Sequence, residues 1–88
     1  MLEDTKEVIF EIVFAENTTQ QQVDVFWTYF VKMIEKNNLL WGGGGDHHYL
    51  RGGISHKDDD KFDETQIKHL LSTLSEEHAM VESLVMGS

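Results

Sequence analysis

The sequence predicts an α+β domain on three observations. A short run of β-branched and aromatic residues spans Val8 to Phe14. Two longer segments carry apolar residues every three or four positions. A glycine-rich stretch between them joins two further short apolar segments.

The first run, predicted as a strand over 7–14, is too short for a helix, and Glu11 is its only charge within Val8 to Phe14. It therefore reads as a central strand covered on both sides or nearly so. Asn17, Thr18 and Thr19 then supply helix-capping side chains, and Thr18 followed by Gln21 has the spacing of a capping box. The helix that follows is predicted over 18–37. Val23, Phe26, Trp27, Phe30 and Ile34 form its stripe, with Val25, Tyr29 and Met33 along a neighbouring edge, and Asn37 and Asn38 mark its end.

The central stretch holds all but one of the seven glycines. Gly42, Gly43, Gly44 and Gly45 have no side chains to fill a core. They are read as the turn of a β-hairpin whose strands lie near 38–42 and 48–56. A polar loop follows with the carboxylates Asp58, Asp59, Asp60, Asp63 and Glu64, the fourth placed to cap a second helix over 63–75. Ile67, Leu70, Leu71 and Leu74 give that helix its stripe. From Met80 to Met86 the local pattern fits a strand and a continuing helix equally well.

Composition bounds the function. Eighty-eight residues make one domain, in which only about 60–65% of the unfolded surface can be buried. Five Phe, two Trp and two Tyr supply enough apolar matter for a core. With no cysteine, disulfides and zinc-thiolate sites are excluded, and a reducing, cytoplasmic setting is expected. No apolar run approaches the ~18–20 residues that cross a bilayer, so no membrane role is expected. Sixteen acidic against seven basic residues leave a net charge of −9, which opposes direct binding to nucleic-acid phosphates and favours a basic partner surface.

No chemical motif assembles. Asp46, His47, His48 and His56 are the densest set of metal-capable residues, but adjacent histidines on a strand would point to opposite faces. Asp58 to Asp60 resembles the start of a calcium loop, yet the sixth and twelfth places hold Asp63 and His69 instead of Gly and Glu. The glycines lack the Lys-Ser/Thr of a phosphate loop, and Ser55 beside His56 makes no nucleophile–base pair. No catalytic residue, cofactor or metal is therefore expected. Trp41 and Tyr49 could stack on a partner beside Arg51, or be partly buried in the hairpin.

The order of parts resembles one known family. An apolar strand (Val8 to Phe14), a Thr-started helix, and Asn38-Leu-Leu-Trp-Gly-Gly-Gly-Gly45 come first. A Gly-containing strand around Leu50-Arg-Gly-Gly-Ile54, a helix and a last apolar segment follow. This is similar to the YggL-type 50S ribosome-binding proteins. The resemblance implies that the last segment is a strand, near 80–87, which completes a ferredoxin-like βαββαβ fold. Four antiparallel strands would carry both helices on one face, with the first and third strands central. It also implies a non-enzymatic module that associates with the large ribosomal subunit, touching a basic protein there. Trp41, Tyr49, Arg51 and the five carboxylates are its possible contacts. The alternative is an acidic inhibitor of phage or immunity type, whose carboxylates mimic nucleic acid and block a basic groove.

Overall fold

The computed structural model describes residues 6–87. The elements are β1 (Val8–Phe14), α1 (Gln20–Lys36), β2 (Leu39–Gly45), β3 (Tyr49–His56), a 3-10 turn (Asp59–Lys61), α2 (Glu64–Glu76) and β4 (Val81–Gly87). The four strands form one antiparallel sheet in the order β2-β3-β1-β4, and the βαββαβ arrangement is ferredoxin-like. The ambiguous last segment is thus a strand, paired with β1 from Ile9↔Gly87 to Phe14↔Val81.

Strand periodicity decides which side is core. Along β1, Val8, Phe10, Ile12 and Phe14 are buried, while Ile9, Glu11 and Val13 point to the opposite face. The buried row meets Leu50 and Ile54 of β3, Leu39 of β2, and the helix residues Val23, Phe26, Phe30, Ile67, Leu71 and Leu74. The expectation that β1 is covered on both sides is corrected. Both helices lie on one face, so Ile9 is 47% exposed on the other.

Helix α1 starts one residue later than the Thr18 capping box implies. Thr19, in extended conformation, is the cap. Its hydroxyl accepts from the Gln22 amide and the Gln22 side chain accepts from the Thr19 amide. Thr18 is diverted because its amide already closes a turn by donating to the carbonyl of Ala15. The stripe of α1 is narrower than the sequence suggests. Val23, Phe26 and Phe30 are buried and Trp27, Met33 and Ile34 partly so, but Val25 and Tyr29 are about half exposed. The helix ends at Asn37, whose side chain donates to the Met33 carbonyl, and Asn38 takes a positive φ of 57° to turn the chain into β2. Helix α2 begins as expected, with the Asp63 carboxylate accepting from the Gln66 amide.

The main correction concerns the glycines. Gly42 to Gly45 are not the hairpin turn. They are the second half of β2 and pair in register with β3, from Gly42↔Gly53 to Gly45↔Leu50. The turn is Asp46-His47-His48. There the Asp46 carboxylate accepts from the His48 amide at 2.7 Å and the Asp46 amide donates to the Tyr49 carbonyl at 2.9 Å. An Asp side chain that bonds its own backbone two residues on is itself a turn former. With the reversal supplied there, the glycines are free to extend the ladder.

Candidate binding face

Because both helices lie on one side, the other side of the sheet is open, and its residues follow from alternation and register. On β1 they are Glu7, Ile9, Glu11 and Val13, the first just before the strand begins. Opposite them on β3, Gly53 faces Ile9 and Arg51 faces Glu11. On β2, Gly42 and Gly44 continue these rows outward, and on β4 so do Gly87 and Val85. Where most sheets would present side chains, this one presents glycine backbone. The result is a shallow trough lined by Glu7, Ile9, Glu11, Arg51 and Val85 over the glycine floor. Ile9, Leu40 (49%) and Val85 (63%) leave large apolar surface in water around it.

Neither Glu7 nor Glu11 has an ion-pair partner among the described residues. Arg51, although cross-strand from Glu11, holds its guanidinium 4.9 Å from the ring centre of Tyr49, in cation–π geometry.

The expected contact residues fall into separate places. Tyr49 and Arg51 belong to the open face. Trp41 does not. It lies on the helix side, half-buried, with its ring 5.2 Å from Trp27 and 5.4 Å from Phe30, both nearly edge-on. Its indole nitrogen is buried without a hydrogen-bond partner among the described residues. Parity along β2 forces this, since Trp41 sits two residues from the buried Leu39.

Four of the five carboxylates have local structural work. Asp58 caps the 3-10 turn through the Asp60 amide, Asp59 reaches Lys6 at 3.8 Å, Asp63 caps α2, and Glu64 pairs with Lys68 at 2.8 Å. They lie at the end of the sheet where β1 begins, away from the Asp46–His48 turn. In that turn the His48 amide, donating to the carboxylate, holds Asp46 below the usual carboxylate range. His47 and His48 are in the turn and not on a strand. Their rings therefore lie side by side, 4.0 Å apart, instead of on opposite faces. No group of three or more metal-capable side chains assembles among the described residues.

Sequence reading missed Glu7, Ile9, Glu11, Leu40 and Val85. The available signal was their parity, opposite to the buried row of each strand. It becomes useful only once the helices are known to share a face.

A second surface lies between the helices, where Tyr29, Lys32 and Lys36 of α1 face Leu70 and Glu77 of α2 or its cap. No helix among the described residues is long and apolar enough to cross a membrane. Compared with known proteins, residues 2–88 match the family described as YggL 50S ribosome-binding protein. No curated protein and no solved structure matches.

Proposed function

The chain belongs to the YggL 50S ribosome-binding protein family, and from that premise we propose that it is a non-enzymatic module that docks on the large ribosomal subunit in the cytoplasm. The observation that carries this reading is the span of the family match, residues 2–88, which takes in every strand and helix of the fold. The open sheet face supports it, because a sheet covered on one side only leaves three large aliphatic side chains in water. Such surface is usually covered by a partner.

The net charge of −9 sets the kind of contact. A bare phosphate backbone is repelled, and the open face offers Tyr49 as its one aromatic platform among the described residues, whereas sheet readers of RNA stack two or three bases on theirs. Contact through a basic ribosomal protein suits this charge better. The inhibitor reading finds no support in the family match, and four of its five carboxylates, all but Asp60, are taken up in two caps and two ion pairs.

Sedimentation of cell lysate through a sucrose gradient at low salt tests the proposal. The protein is expected in the 50S-containing fractions. Recovery only in the ribosome-free top fractions would overturn it.

A further inference from the structure

The geometry points to the open-face trough as the docking site for an extended, arginine- or lysine-rich segment of a large-subunit protein; this inference rests on the ribosome-binding reading and adds the surface and the chemistry of the partner. Shape is the first argument. Gly42 and Gly44 carry no side chain on this face and have open space above them, whereas the Glu7 carboxyl and Ile9 lie over Gly53 on β3, so a chain lying along β2 can approach the backbone closely beside the Glu7 carboxylate. Aliphatic side chains at Ile9, Leu40 and Val85 flank the glycine floor and suit the methylene stems of Lys or Arg.

Charge selects the occupant. Glu7 and Glu11 stand in the trough without ion-pair partners among the described residues, and the guanidinium of Arg51 is held over Tyr49. A second copy of this chain would bring its own −9 charge, and the same two glutamates, against these carboxylates. Ribosomal RNA would bring phosphates. A cationic peptide meets carboxylates with guanidinium or ammonium groups, and charge-assisted hydrogen bonds of that kind are strong once water is excluded.

The fold permits a clean test. A Cβ at Gly42 or Gly44 meets nothing within 4 Å, and neither glycine has a positive φ. Gly42→Leu therefore fills the trough without disturbing the sheet. Binding to purified 50S subunits is measured for the wild type, for Gly42→Leu and for the double variant Glu7→Gln/Glu11→Gln, with melting curves recorded alongside. Each variant is expected to lose about tenfold or more in affinity while remaining folded, the size of effect that a central interface residue carries. The affinity of the double variant should also depend less on salt.

A photo-crosslinker attached at Gly44→Cys, the sole thiol in the chain, should give 50S adducts that protease destroys and ribonuclease spares. Wild-type binding with both variants unaffected would overturn the trough as the site. Adducts to RNA alone, or a dimer of this chain abolished by Gly42→Leu, would overturn the basic-peptide occupant. Absence of wild-type binding would overturn the ribosome reading itself, and the inference with it.

Discussion

Replacing Phe30 by Ala is expected to remove about 3–5 kcal/mol of stability, the usual cost of truncating a fully buried Phe. Phe30 is fully buried where α1 meets the sheet. Its ring lies 5.8 Å from Phe10 of β1, 5.4 Å from Trp41 of β2 and 6.1 Å from Trp27 one turn back, so the change removes the contact that ties helix, central strand and edge strand together. A domain of this length is expected to have on the order of 4–13 kcal/mol in total. The variant should therefore melt far below the wild type or be unfolded at 37 °C. Val25→Ala is the control. Val25 lies on the same helix but is 47% exposed, and its loss should stay within about 0.5 kcal/mol. Urea titration followed by circular dichroism compares the two. A Phe30→Ala loss below ~1 kcal/mol would mean that the core is not centred there.

The second large effect belongs to two glycines that face each other across the β2–β3 ladder. Gly43 has φ 157° and Gly52 has φ 148°, values that side-chain-bearing residues rarely adopt. A Cβ on Gly43 would run into the Arg51 carbonyl oxygen and approach the Gly52 Cα to 2.6 Å. One on Gly52 would run into the Gly42 carbonyl oxygen and come within 2.8 Å of the Trp41 indole nitrogen. The obstructing atoms are mostly backbone and cannot swing aside. Gly43→Ala and Gly52→Ala should each cost about 2–3 kcal/mol, the strain of an unfavourable φ with displacement of the paired strand added to it. Gly42→Ala and Gly44→Ala have open space and should be neutral, or more stable by up to about 1 kcal/mol because the unfolded chain loses freedom. Thermal melts of the four variants give the comparison. Equal effects at all four would contradict the strand assignment.

These glycines also show where sequence reading stops. The short β-branched and aromatic run of Val8 to Phe14 and the helical periodicities of Val23 to Ile34 and of Ile67 to Leu74 located β1, α1 and α2 to within a few residues, because run length marks the strand and the three-and-four spacing marks the helices. The last strand was legible only through the family resemblance, since edge strand β4 has half-buried residues and no sharp alternation. Four glycines in a row are a strong turn signal, and it outweighed Asp46, whose side chain closes the real turn. The choice between Thr18 and Thr19 as cap depended on which amide the preceding turn consumes, a detail that spacing alone does not carry.

The binding face was the least legible part. Trp41 reads as a contact residue by type, yet a strand that continues through the glycines turns it toward α1. Glu7 and Glu11 read as incidental charges near a buried strand. They gain meaning only when register places them beside Gly53, Arg51 and Val85 on the uncovered side.

The most direct measurement of the central claim, that the chain meets the large subunit through its open sheet face, uses the absence of native cysteine. Single thiols are introduced as Gly44→Cys on the open face and as Val25→Cys on the exposed side of α1, and their rates of maleimide labelling are compared with and without saturating 50S subunits. The thiol at position 44 should be protected on binding, and the thiol at position 25 should label at its free rate. Protection at position 25 with unchanged labelling at position 44 would contradict the account and place the contact on the helices.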